Sequence, residues 1–353
     1  MAEDEFDLKP TPEPASPSKP VLKWRGGTFV EIPQEPEWKS TARDLGKEMQ
    51  VWNERQVHEV IRRHNAGAGD GGNREDMAAR LRQMIERGPW RPLVQPVAGL
   101  SELREAAPSF GELMDIVEGA LAVSPSASFE PILLIGPPGI GKTHMARLLG
   151  EFLGVPTQFV DGASLQSNSV LLGSEQHWTT AKPGLLHDLL VDSKAANPLV
   201  IFDELDKVSR NGSHDALQPL HATLEPSSAS ALTDLCTGVT LDASRVRWIL
   251  TCNSLKTIPG SLLSRMRLVH VREPQAREML AIARSVANST IDREAPPGFK
   301  PLGRDIVVEL ALMTPRSIRM LVTGAVRRAV RAGREHIVQE DLIAKLSAHP
   351  AIH

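Results

Sequence analysis

Gly136-Pro137-Pro138-Gly139-Ile140-Gly141-Lys142-Thr143 is the stretch whose reading decides the fold. Its spacing is the G-x-x-x-x-G-K-[ST] of a phosphate-binding loop. Ahead of it, Ile132-Leu133-Leu134-Ile135 is an apolar run that reads as a buried strand. Behind it, Lys142 to Leu153 reads as a helix, with Met145, Leu148, Leu149 and Phe152 on one face. The loop's backbone N–H groups and the helix N-terminus converge on one spot and favour an anion there. Gly136, Gly139 and Gly141 let the backbone approach a phosphate with no Cβ in the way. Lys142 is expected to reach the terminal phosphates, and the Thr143 hydroxyl to hold Mg²⁺. The octapeptide and the His144 that follows form the candidate ATP-binding stretch. An ordinary glycine-rich turn is the plainer alternative, and the flanking strand and helix argue against it.

A second segment supports the first. Pro198-Leu199-Val200-Ile201-Phe202-Asp203-Glu204 is an apolar run ending in two carboxylates. Buried parallel strands look like this, and strand ends carry the chemistry of open α/β sheets. Asp203 is placed to join Thr143 at the metal, and Glu204 to polarise an attacking water.

Composition sets outer bounds. The chain has 353 residues, enough for one large domain with smaller ones beside it. A net charge of −3 gives no overall pull toward nucleic acid or a membrane surface. Tyrosine is absent and aromatics are few, which argues against a base-stacking platform. The two cysteines, Cys236 and Cys252, lack any metal-ligand spacing. There is no long apolar run for a membrane span and no apolar core to the acidic N-terminus, so the expected location is cytoplasmic.

Along the chain, residues 1–20 are rich in proline and charge and read as a disordered tail. Residues 21–92 read as a small, mostly helical appendage. Within it a short strand pair is expected around Gly26-Gly27. A helix is expected from Thr41 to His64, with Leu45, Met49, Trp52, Val57, Val60 and Ile61 at helical spacing. A glycine-rich linker follows at 66–72, then a helix capped by Asn73 and carrying Met77, Leu81, Met84 and Ile85. From 93 to 274 apolar runs alternate with helical stretches, which predicts a parallel sheet covered on both faces. Strands are expected near 132–136, 156–161, 198–203, 246–252 and 267–271. From 275 to 353 only helical patterns remain, near 275–289, 303–313, 315–332 and 338–347, with Gly333 as a C-cap after the third.

These motifs resemble the AAA+ ATPases, and among them the ATPase module of Lon, from about Gly99 to Leu346. The segment Val200 to Lys207 looks like Lon's acidic strand end. Thr251-Cys252-Asn253-Ser254 through Pro259-Gly260 to Ser264-Arg265-Met266 looks like Lon's sensor strand and arginine-finger helix. The implied fold is α/β: a P-loop αβα sandwich on a five-stranded parallel sheet, followed by a helical lid and usually working as a hexameric ring. By this resemblance Asn253 is the first sensor and Arg265 the finger that reaches a neighbour's γ-phosphate, with Arg267 the competing candidate. Arg316 is the lid sensor, and Arg319, three residues on, shares its face. An amide at a strand end beside Glu204 suits a γ-phosphate contact on chemical grounds too. His177-Trp178 to Gly184 resembles Lon's first pore loop, with Trp178 in the place of the aromatic that grips polypeptide. Thr179 departs from the apolar residue usual there.

Lon continues into a serine-lysine protease domain, whereas this sequence ends at His353, directly after the lid. The expectation is therefore a Lon-like, homo-oligomeric ATPase that remodels a protein substrate without its own peptidase. The alternative from another class is a nucleotide-dependent scaffold or switch that recruits a partner protein. A DNA-associated motor shares the nucleotide residues, but the near-neutral charge and lack of a DNA-binding motif weigh against it.

Overall fold

The computed structural model describes residues 22–25, 28–31, 43–66, 72–95, 100–124, 126, 128–165, 167–175, 181–193, 195–209 and 215–342. The expected tail at 1–20 and the pore-loop residue Trp178 lie outside these described residues, as do most of the linker and the second half of the last lid helix.

The first elements are β1 (Leu22–Arg25) and β2 (Thr28–Glu31), an antiparallel pair at the expected glycines. Next come β3 (Arg43–Gln50), α1 (Glu54–Ala66), α2 (Gly72–Arg87) and β4 (Trp90–Gln95). Here the sequence reading needs correction. The helix expected from Thr41 begins at Glu54, and residues 43–50 form a strand paired antiparallel with β4. Leu45 and Met49 have helical spacing, but Gly46 lies where the pairing register shifts, between Asp44 and Glu48. Such an irregularity suits a bulged strand better than a helix interior. Pro92 is tolerated in β4 because a two-stranded sheet has only edge strands. Asn73 falls inside α2, which starts at Gly72.

The central sheet contains β5 (Ile132–Ile135), β6 (Thr157–Asp161), β7 (Leu199–Asp203), β10 (Arg247–Cys252) and β11 (Arg267–His270). Its order is β11-β5-β10-β7-β6, and every pair is parallel. The five strands expected from sequence are all present, within a residue at each end. Around them lie α3 (Leu100–Ala106), α4 (Gly111–Val123), α5 (Lys142–Leu153), α6 (Ser169–Leu172), α7 (Leu185–Asp192), α8 (Leu220–Thr223), α9 (Pro226–Ala229) and α10 (Gly260–Leu263). A small hairpin of β8 (Leu232–Thr233) and β9 (Thr240–Leu241) completes the layer.

Strand side chains alternate between two cores, as a pleated sheet buried on both faces requires. Ile132, Leu134, Leu199, Ile201 and Ile249 pack with Leu113, Met114, Val117, Met145, Leu149 and Phe152. Leu133, Val200, Phe202 and Leu250 pack on the other side with Leu186, Leu190 and Leu217. That second core also contains Val51, Trp52, Val57, Met77, Leu81 and Met84. Residues 51 and 52 and helices α1 and α2 are thus built into the layer under the sheet. Polar ties reinforce it. Buried Arg91 donates to the carbonyls of Gly88, Trp90 and Val191, and Asn197 exchanges two hydrogen bonds with the backbone of Val94.

After the sheet come α11 (Ala276–Glu294), α12 (Arg304–Leu310) and α13 (Pro315–Arg331), with an apolar core of their own around Ala287, Ile291, Ile318, Val322 and Val326. Gly333 follows α13 at φ +70, the left-handed C-cap expected of it. The entry to this lid is fixed by a capping box between Gln275 and Glu278. Arg272 forks onto both Glu278 carboxylate oxygens at 2.7 Å. No helix among the described residues is long and apolar enough to cross a membrane.

Candidate active site

The site sits where the strands end. The backbone turns out of β5 at Gly136, where a Cβ would lie 2.6 Å from the Val271 carbonyl oxygen, so only glycine fits. Gly139 and Gly141 have φ of +83 and +98, the left-handed conformation that favours glycine. Helix α5 then begins with no side chain capping its N-terminus. Those amides are the natural seat of an anion.

Lys142 is buried, with its three ammonium protons directed to the carbonyls of Gly136 (2.7 Å) and Pro137 (2.8 Å) and to Asn253 Oδ1 (2.9 Å). Burial lowers its pKa from the usual lysine value, which nearby carboxylates partly offset. Next to it, Thr143 Oγ1 donates to Asp203 Oδ1 at 2.7 Å. Thr251 Oγ1 donates to the same oxygen at 2.5 Å. A hydroxyl and a carboxylate side by side form an oxygen donor pair suited to a hard cation such as Mg²⁺. Among the described residues, no group of three or more His, Cys, Asp or Glu could hold a metal. A cation here would therefore complete its shell with phosphate and water oxygens, the usual habit of Mg²⁺.

Glu204 has φ 53 and ψ 47 and is the only described non-glycine residue with positive φ. Its N–H donates to Thr251 Oγ1 at 3.0 Å, and its carboxylate accepts from Lys207 Nζ at 3.1 Å. Gly162 packs so closely that a Cβ there would lie 2.7 Å from the carbonyl oxygens of both Asp203 and Glu204. Asp206 Oδ2 accepts from the N–H groups of Asn253 and Ser254, each at 3.2 Å, which fixes the end of β10. Thr251, Asp206 and Lys207 were not singled out as functional from the sequence. A polar residue flanking each acidic or amide motif is too common a pattern to mark them.

The lid closes over this floor. A cleft of about 660 Å³ is lined by Gly139 to Thr143, His144, Asp203, Glu204 and Asn253, by Ser109 and Phe110, and by Arg316 and Arg319 of α13. Burial lowers the pKa of the His144 imidazole, and the charges of Arg319 and Arg147 add to the shift. Arg265 lies elsewhere. It borders a separate cleft of about 730 Å³ with Thr223, Glu225 and Trp248, where its guanidinium faces Glu225 and the Ser261 carbonyl. One chain thus gathers every expected nucleotide residue except Arg265. Arg267 starts β11 and is exposed, away from the cleft. Cys236 and Cys252 are buried thiols pushed up to about 11, so neither is a thiolate at neutral pH.

Residues 132–273 match the model of the ATPase family associated with various cellular activities (AAA). Those residues are an AAA ATPase domain. Lon protease 2 of Hydrogenovibrio crunogenus is 28% identical over 250 residues, 70% of this chain and 26% of that protein. The Lon protease of Magnetococcus marinus is 30% identical over 190 residues, 53% of this chain and 22% of that protein. The mitochondrial Lon protease homolog of Mus musculus is 34% identical over 148 residues, 42% of this chain and 16% of that protein. The AAA domain is thus related to the corresponding part of Lon. The match spans about a sixth to a quarter of the length of these curated relatives. A RuvB mutant of Thermotoga maritima aligns at a TM-score of 0.47 with 13% identity, over 67% of this chain and 69% of that one.

Proposed function

We propose that this AAA protein binds and hydrolyses ATP with Mg²⁺ and uses the cycle to remodel a protein substrate, working as a homo-oligomeric, hexameric ring. The observation that carries the reading is the meeting of Lys142, Thr143, Asp203 and Asn253 under Arg316 and Arg319 in a single cleft. In that reading Lys142 turns from the carbonyls of Gly136 and Pro137 toward the β- and γ-phosphates. The backbone from Gly136 to His144 cradles the phosphates. Thr143 and Asp203 would hold the metal, whose positive charge would offset the negative charge on the phosphoryl oxygens. Glu204 orients the attacking water and takes its proton. Asn253 steadies the γ-phosphate and that water, while Arg316 and Arg319 couple lid angle to nucleotide state.

Arg265 supports the oligomer. Its place on a separate cleft suits a residue that completes the site of an adjoining copy. Support for polypeptide handling comes from the base of the segment carrying Trp178. Ser174 and Lys182 are tied by backbone and side-chain hydrogen bonds, and the Gly184 N–H donates to buried Asp234 at 2.7 Å.

The direct test is a titration of the full chain with ATP, with and without Mg²⁺, alongside phosphate release. Magnesium-dependent turnover is expected, and its absence overturns the reading. Particle images with a slowly hydrolysed ATP analogue test the ring.

A further inference from the structure

We propose that Thr251 is the positioning residue of the hydrolytic site, one hydroxyl that sets both the metal-binding carboxylate and the backbone of the catalytic glutamate. The inference rests on the nucleotide reading above and adds a residue to it. A hydroxyl has one proton to give and lone pairs to accept with. Thr251 uses both: its proton goes to Asp203 Oδ1 at 2.5 Å, and it receives the Glu204 N–H at 3.0 Å. The side chain is buried, with 2% of the residue exposed, so water does not replace these bonds.

The sheet explains why a side chain is needed here. Strand β10 pairs with β7 only as far as Leu250 opposite Phe202. On its other edge β10 continues, with Thr251 opposite Leu134 and Cys252 opposite Ile135. Glu204 turns into the left-handed region just past the end of β7. A non-glycine residue held there is strained and stays only where its surroundings enforce it. Thr251 holds the amide side of that turn, and Gly162 presses on its carbonyl side.

Thr143 also donates to Asp203, but Thr143 would itself be one of the metal's ligands. Thr251 holds Asp203 from outside that donor pair. Groups in this position behind a metal ligand alter metal affinity by about 10–100-fold.

The test compares the wild-type chain with Thr251→Val, which keeps the shape and removes the hydroxyl, and Thr251→Ser, which keeps the hydroxyl. Manganese binding to the protein–ADP complex is read by EPR, nucleotide affinity is read in EDTA, and phosphate release is read across a magnesium titration. Thr251→Val is expected to weaken manganese binding and raise the half-maximal magnesium by about tenfold. Affinity for metal-free ADP should stay within about twofold, and Thr251→Ser should behave as wild type. The serine control keeps the test decisive if the valine variant fails to fold. Unchanged metal dependence in Thr251→Val overturns the proposal, as does a Thr251→Ser variant with weakened metal binding. A wild-type chain that binds no nucleotide overturns the reading beneath it instead.

Discussion

Lys142 Nζ and Asn253 Oδ1 lie 2.9 Å apart, so the phosphate loop and the end of β10 are hydrogen-bonded to each other. The ammonium has two further acceptors, both loop carbonyls. Asn253→Ala removes one of three and leaves the loop's backbone cradle alone. ATP affinity should change by less than about threefold, while turnover at saturating ATP should fall about 100-fold, the usual scale for one donor aimed at developing charge. Phosphate release beside a nucleotide titration reads both. Turnover within twofold of wild type would remove Asn253 from the reacting phosphate.

Glu204→Gln keeps the side chain's size and loses its basicity. Magnesium-dependent ATP binding should persist, and turnover should drop by about 10²–10⁴-fold, the range for a general base. A variant that still turns over at wild-type rate would transfer the role to another group.

Arg265 lies outside the nucleotide cleft of its own chain. Arg265→Ala should bind ATP normally and hydrolyse it poorly. Mixed with Glu204→Gln, it should regain part of the activity, because each variant retains what the other lacks. Two inactive variants that stay inactive together would argue against a finger shared between copies.

Trp178→Ala should leave ATP turnover near wild type and abolish processing of an unfolded protein substrate. Full processing by this variant would favour the nucleotide-dependent switch over the motor.

Glu278 is held at a pKa of about 2, chiefly by its hydrogen bonds to Arg272 and also by the Gln275 N–H. A carboxylate whose folded value is depressed stabilises the fold above its unfolded value, near 4.3. That contribution fades as pH falls from there toward 2. Glu278→Gln should therefore lower the melting temperature at pH 7, and the difference should shrink between pH 5 and pH 3. A constant offset across that range would mean that charge is not what holds the lid entry.

The sheet was legible because its three central strands are buried and read as apolar runs, as at Ile132–Ile135 and Leu199–Phe202. The phosphate loop was legible because its glycines stand where the backbone demands them. Strand Arg43–Gln50 was missed for the opposite reason. It is polar, and its partner Trp90–Gln95 lies far along the chain, so nothing local distinguishes it from a helix carrying Leu45 and Met49. Thr251 and Asp206 were missed because their importance lies in which amides they accept from. Strand register settles that, and a single sequence does not display it.

The interior position of Trp52, Leu81 and Met84 has a practical side. Trimming this protein to the stretch that matches the AAA family would unroof the hydrophobic layer beneath β7 and β10 and strip Arg91 from the last turn of α7. The shortened piece should be sticky in solution and poorly folded. The stretch that matches the family is shorter in sequence than the unit that has to fold around it.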